Sequence, residues 1–266
     1  MFLTINDIKD IAAKMVEAMK IDYSNFNFSF FRRRLTYCFD KLNVHKVTEF
    51  NDMLSDATKS DAIAYYMSVP ATEMFRDPAF WRALRKRIST HSASLRVWFP
   101  DVVDSKELFS LLIILEELGL RQKVSVVVNS VSQIAIDEIK SLVISNADDE
   151  VNRSNFERLE VDAQYDDYIE KNESQNQIKL KAELLSKVEF RKCWFMNESF
   201  DKFDIVIFRN NLLNYNKQMH EKVMNRLTAM LDSKGLLAIG IKEVPVIRTT
   251  MFGPIEANES IYGRLN

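Results

Sequence analysis

The side chains best able to do chemistry in this chain are few, and most can be set aside on spacing alone. His45, His91 and His220 each stand alone in their segments, so neither a metal-ligand pattern nor a Ser/His/Asp order can be built from them. Cys38 and Cys193 lie far apart, outside any CxxC or Cys/His arrangement, as buried structural thiols in a reducing compartment do. What remains is a strand–turn–helix signal: an apolar strand at Leu95–Phe99, a turn at Pro100–Asp104 and a helix from about Ser105. Such a unit holds a nucleotide-type cofactor when glycines let backbone N–H groups approach the ligand. The turn here contains none. Only five glycines occur in the whole sequence (Gly119, Gly235, Gly240, Gly253, Gly263), and all lie beyond residue 118. The framework of a cofactor fold is present, with an overwritten cradle.

The elements that must position such a site follow from periodicity. Ile8, Ile11, Ala12, Met15, Val16 and Met19 lie at helical spacing, and Phe28, Phe31, Leu35, Cys38, Phe39 and Leu42 share one face of a second helix. Phe50–Leu54 and Ala62–Met67 predict two more, and Asp77-Pro78 opens another with proline at its first position. From Leu95 the period changes. Apolar runs at Val124–Val128, Phe203–Phe208 and Leu236–Ile241 alternate with helices at Ser105–Leu118, Ser132–Leu142 and Asn216–Leu231. That alternation predicts an α/β fold with a mostly parallel sheet. The expected division is an all-helical N-terminal domain over 1–92 and a Rossmann-like domain over 93–266. Asp104 and Glu107 read as a capping box, and Gly235 as a helix C′ or turn residue. The acid-rich stretch 148–170 reads as a solvated, mobile connection or, less simply, a docking surface for a basic partner.

At 266 residues, 47% hydrophobic and 28% charged, the chain can bury a full core. A net charge of −2 gives no global reason to expect nucleic acid, and no apolar run is long enough for a membrane span. A cytoplasmic protein without metal and without membrane insertion is expected.

Val69-Pro70-Ala71-Thr72-Glu73-Met74-Phe75-Arg76-Asp77 resembles the Thr-x-Phe-Phe-Arg signature of chemotaxis receptor methyltransferases of the CheR type. Arg96-Val97-Trp98 is similar to the start of that family's first strand. Phe203-Asp204-Ile205-Val206-Ile207-Phe208-Arg209-Asn210 with Tyr215 resembles its Phe-Asp-x-Ile-x-x-Arg-Asn block, and Gly235–Gly240 its glycine-led strand. The resemblance covers nearly the whole chain. It implies S-adenosylmethionine as cofactor, chemoreceptor glutamates as substrate and a Rossmann-like methyltransferase fold. It further implies cofactor contacts at Thr72, Arg76, Glu107, Arg209 and Asn210, and catalytic roles for Arg76, which would orient the carboxylate, and Tyr215.

Other positions depart from the family. Its turn after strand one, roughly Ser-Thr-Gly-Glu-Glu-Pro-Tyr-Ser, stands here as Val103 to Ser110, with Ser105 for the glycine. The ribose-binding Asp at the end of strand two is replaced by Asn129-Ser130, an expected Asn is Pro70, and a small polar group near the adenine is Trp194. Each lost charge-assisted hydrogen bond removes about 1.5–3 kcal/mol. Three such losses and a steric conflict exceed ~4 kcal/mol, about a thousandfold in affinity. Phe99, Pro100, Phe109 and Trp194 are expected to fill the vacated path. Arg32, Arg33 and Arg34 on the second helix offer either a solvated face or, as the resemblance implies, a docking site for an acidic receptor helix. Two functions stay open: a degenerate relative that binds a chemoreceptor or related signalling protein, with S-adenosylmethionine held weakly or no cofactor at all, and an active protein-glutamate O-methyltransferase.

Overall fold

A computed structural model of the chain describes residues 3–90, 94–197, 199, 201–246 and 252–265. Five helices precede the first strand: α1 (Ile5–Met19), α2 (Phe28–Lys41), α3 (Val47–Leu54), α4 (Ala57–Met67) and α5 (Pro78–Ser89). Their ends follow local chemistry. Thr4 and Asp7 form a reciprocal capping box on α1, and the Asp56 carboxylate accepts the N–H groups of Thr58 and Lys59 at the start of α4. The predicted stripe on α1 is buried at Ile8, Ile11, Ala12 and Met15, while Val16 is exposed. On α2 Phe28 turns out to be exposed, and Phe30 is buried in its place. These faces close a helical core in which Phe39 stacks on Phe50 at 4.6 Å.

The remainder contains strands β1 (Leu95–Phe99), β2 (Val124–Ser130), β3 (Val143–Ile144), β4 (Ile169–Asn172), β5 (Gln177–Leu180), β6 (Val188–Lys192), β7 (Phe203–Phe208), β8 (Leu231–Ile239), β9 (Phe252–Glu256) and β10 (Ile261–Arg264). Helices α6 (Lys106–Glu117), α7 (Gln133–Lys140), α8 (Asp149–Glu157) and α9 (Lys217–Ala229) connect them. The main sheet runs β6-β2-β1-β7-β8-β10-β9, parallel except for β10, which is antiparallel to both neighbours. The expected α/β class and mostly parallel sheet are therefore found. Strand order reverses between β1 and β7, which places the ligand crevice of such a fold beyond the C-terminal ends of those strands.

Three local expectations need correction. The stretch 148–170 is folded: it supplies α8 and β4, and Asn152, Asn155, Phe156, Tyr165 and Tyr168 are buried. With β3 and β5 it makes a small antiparallel sheet, order β3-β5-β4. Its acids are solvated on one side only, which charge counting could not reveal. No capping box forms at α6, because the Glu107 carboxylate turns away to meet Arg209. Gly235 lies inside β8, where a Cβ would stand 3.0 Å from the Phe203 carbonyl oxygen beside the register shift at Phe203/Ile205.

Candidate functional site

The turn after β1 solves its lack of glycine by staying out of the left-handed region: none of residues 100–106 takes a positive φ. Side chains hold it instead. The Asp104 carboxylate accepts the N–H of Lys106 at 2.9 Å and that of Ala71 on the segment joining α4 to α5. Lys106 sends its Nζ to the carbonyl oxygens of Ala71 (3.0 Å) and Thr72 (2.9 Å) and pairs with Asp148 at 3.1 Å. The turn and the Thr72 segment are thereby locked together.

Arg209 leaves the end of β7 and is wholly buried. Its Nη1 donates to Glu107 at 2.8 Å, its Nη2 to Asp77 at 2.6 Å, and the guanidinium lies 4.0 Å from the centroid of the Phe80 ring. Asp77 is thus spent on Arg209 and gives α5 no side-chain cap. Burial pushes the Glu107 carboxyl up to about 7, against the pull of Arg209. Arg76 is less constrained: it donates to the Thr72 hydroxyl at 3.2 Å and sits 4.0 Å from Glu73.

The loop Arg209–Tyr215 is organised by a residue that no sequence motif singled out. Glu243, 3% exposed, accepts the N–H groups of Gly240 (2.6 Å), Asn210 (2.9 Å) and Leu212 (2.6 Å). Asn210 takes φ 61°, and a Cβ on Gly240 would lie 2.5 Å from the Asn210 Oδ1. Only glycine allows that crossing. Tyr215 at the far end is buried against Phe26, ring centroids 4.7 Å apart, and burial raises its phenol well above the ordinary range. Backbone bonds from Asn27 to Asn214 (2.8 Å) and from Asn216 to Asn25 (2.9 Å) tie this loop to the helical part.

At the end of β2, Asn129 is internally satisfied: it accepts from the Trp98 indole at 2.7 Å and reaches Cys193 Sγ at 2.6 Å. The start of α7 is capped from outside its own segment by Asp61 of α4. That carboxylate, 7% exposed, accepts the N–H of Gln133 (2.8 Å), the N–H of Ile134 (3.0 Å) and the Ser132 hydroxyl (3.1 Å), and pairs with Lys192 at 2.8 Å. Burial opposes its charge, but Lys192 and the two N–H groups outweigh that and hold it below the usual carboxylate range.

Pro70, Thr72, Arg76, Glu107, Trp194, Arg209, Asn210 and Tyr215 all line one cavity of about 220 Å³ between the helices and the sheet. Asp101 and Asp104 of the turn after β1 also line it, as do Tyr23, Phe26 and Phe30, which the sequence did not point to. Ser105 and Ser130 stay outside its lining. Of the four bulky residues expected to fill the path, only Trp194 faces it. Phe99 and Phe109, 1% and 0% exposed, pack into the core beneath the turn, and Pro100 is buried without reaching the cavity. The filling comes from the helical side instead. The three arginines of α2 also separate. Arg34 donates to the Tyr66, Met67 and Ser68 carbonyls and so closes the C-terminus of α4, whereas Arg32 and Arg33 line an exposed groove with Phe28 and Tyr37. His45 is exposed, burial lowers His220, and His91 lies outside the described residues. Cys38 is buried, which pushes its thiol up to about 12. Among the described residues no group of side chains could hold a metal ion and no helix is long and apolar enough to cross a membrane.

Comparison with known proteins places this architecture. Residues 70–261 match the CheR methyltransferase, SAM binding domain. The chain belongs to the CheR methyltransferase family. Two relatives agree with that assignment across most of their length. A Pseudomonas putida protein named Cher3 is 23% identical over 240 residues, covering 86% of each chain. A chemotaxis protein methyltransferase of Vibrio anguillarum is 23% identical over 239 residues, covering 83% of each. Among solved structures, the rRNA methyltransferase AviRa of Streptomyces viridochromogenes is 13% identical and covers 80% of this chain and 94% of its own, with a TM-score of 0.41. That likeness is loose, and the family assignment does not rest on it. Arg209, Asn210 and Tyr215, on one loop of this CheR family member, line the same cavity as Thr72 and Arg76, and Arg209 donates to the Arg76 carbonyl at 3.4 Å.

Proposed function

We propose that this CheR family member binds a chemoreceptor or related signalling protein and has a remodelled, weakened S-adenosylmethionine site. The observation that carries the reading is Asp61. At the end of β2, where the family's ribose carboxylate would stand, Ser130 offers no acid, and the adjoining helix start is capped by a carboxylate from α4. A second contact points the same way: Lys106, in place of an acid, is committed to Ala71, Thr72 and Asp148. The cavity also falls below the roughly 300–1,000 Å³ usual for small-molecule sites. These features do not fit the cofactor as the family holds it. Partner docking is assigned to Arg32 and Arg33 beside Phe28, a basic and aromatic face suited to an acidic helix. Arg34 is excluded, since its charge is spent on the end of α4.

The second reading, an active protein-glutamate O-methyltransferase, is favoured by the convergence of Thr72, Arg76, Glu107, Arg209, Asn210 and Tyr215 on a single cavity. Transfer of labelled methyl to receptor fragments separates the two. The first reading expects none from the wild type and partner binding that survives Arg76→Ala and Tyr215→Phe. Robust transfer, lost in Arg76→Ala, establishes the second.

A further inference from the structure

Among the described residues the main sheet ends in two edge strands, and only one of them is guarded. The β9 edge carries Pro254, which has no N–H to offer, and a register shift against β10 at Ile261/Tyr262. β6, at the other edge, has neither proline nor bulge, and its register with β2 is unbroken from Val188 to Lys192. The Lys187 carbonyl accepts the Val126 N–H at 3.0 Å, and the Cys193 N–H donates to the Ser130 carbonyl at 2.9 Å. Residues 187, 189, 191 and 193 therefore turn their backbone groups toward β2. Those of Val188, Phe190 and Lys192 turn outward, and among the described residues nothing hydrogen-bonds to them. Lys192, whose charge would repel an approaching strand, is neutralised by Asp61 at 2.8 Å.

What such an edge accepts is set by its side chains. Val188-Glu189-Phe190-Arg191-Lys192 complements itself when read in the reverse direction. Laid antiparallel on a second copy about Phe190, Phe190 meets the partner's Phe190 and Val188 meets the partner's Lys192 at hydrogen-bonded positions. On the opposite face Glu189 meets the partner's Arg191, and the two-fold axis makes this contact twice. Within one chain Glu189 and Arg191 already pair at 2.7 Å, with side chains 58% and 33% exposed, so both are within reach of a neighbouring strand. A slip of two residues either way sets Glu189 against the partner's Glu189 or Arg191 against the partner's Arg191. A parallel arrangement in register sets both against themselves. Like charges directly opposite are destabilising, so charge selects one register. Phe190, half-buried with the Lys140 ammonium 5.2 Å from its ring centroid, supplies a cross-strand aromatic pair at the centre.

We propose that β6 is a self-association edge, on which two copies of this chain pair antiparallel across Phe190 and continue the sheet from one molecule into the next. The inference stands apart from whether S-adenosylmethionine or a receptor binds. One five-residue strand buries less than the roughly 1,200 Å² of a stable complex, so the dimer is reversible and concentration-dependent.

Sedimentation velocity of the full chain, from micromolar to submillimolar concentration, tests it. A shift from one chain to two is expected within that range. Glu189→Arg and Arg191→Glu each set like charges across the edge and should weaken the dimer about tenfold or more. Mixed in equal amounts the two variants complement each other, so dimers should return in the mixture. They should return as well in the chain that carries both changes. Both side chains reach solvent, and melting curves check that each variant folds. A wild type that stays monomeric throughout overturns the proposal. So does association that both single variants retain, which would place the contact on another surface, or single variants that dissociate and do not recover on mixing.

Discussion

Arg209 shows how a residue placed by a motif can serve the fold before it serves a ligand. Its guanidinium is wholly buried and clamped between Glu107 and Asp77 over the Phe80 ring, so it joins β7, α5 and α6 into one unit. Removing one partner of a buried ion pair costs about 3–5 kcal/mol, because the remaining charges stay buried. Arg209→Met should therefore lower unfolding stability by about that amount in urea titrations. A loss within about 0.5 kcal/mol, the surface-substitution range, would mean the arginine is free to face the cavity. Gly240→Ala makes a matching case. Its Cβ would meet Asn210 at 2.5 Å, and relieving that overlap is expected to cost about 1–3 kcal/mol. The Arg209-Asn210 block and Tyr215 were legible as a motif. Glu243, which positions that loop, was not, because a lone Glu beyond a strand carries no pattern until the Gly240 crossing brings it to four backbone N–H groups.

Between elements, the decisive contact is Asp61 on the start of α7. Asp61→Asn leaves the shape intact but removes the charge from bonds worth about 1.5–3 kcal/mol to a charged group. Because the folded carboxyl lies below its ordinary value, its contribution is present above the unfolded pKa of about 3.9 and is lost as pH falls through the folded value. The stability gap between wild type and Asp61→Asn should thus be constant near neutral pH and close on acidification below about 4. A gap that persists in strong acid would assign the effect to packing. The arginines of α2 give a second contrast. Arg34→Ala should lower the melting temperature by loosening the end of α4, whereas Arg32→Glu with Arg33→Glu should leave it nearly unchanged and slow partner association most at low salt. Equal melting shifts for both changes would return all three to one class. Most helices, and the strands β1, β2, β7 and β8, were readable here because apolar spacing encodes them directly, whereas β6, with no fully buried residue, and α8 were not. Nor was the small sheet: the buried Ile169 of β4, and the buried Tyr165 and Tyr168 of the turn just before it, are interleaved with acids that face water, so composition masked the apolar side.

For the molecule as a whole, the helical part and the seven-stranded sheet meet at a cavity that Tyr23, Phe26 and Phe30 line from the helical side. From the sequence alone the missing glycines lead to the expectation of a changed cradle, which the titration below tests. What they could not announce is the replacement, since Asp61, Lys106 and the α1–α2 aromatics meet the sheet only through tertiary contacts. The central claim is that these replacements have displaced S-adenosylmethionine. Calorimetric titration of the full chain with S-adenosylmethionine and its demethylated product tests it most directly: the account predicts millimolar affinity or no measurable heat, about a thousandfold weaker than a micromolar site. Low-micromolar binding at one site per chain would contradict it.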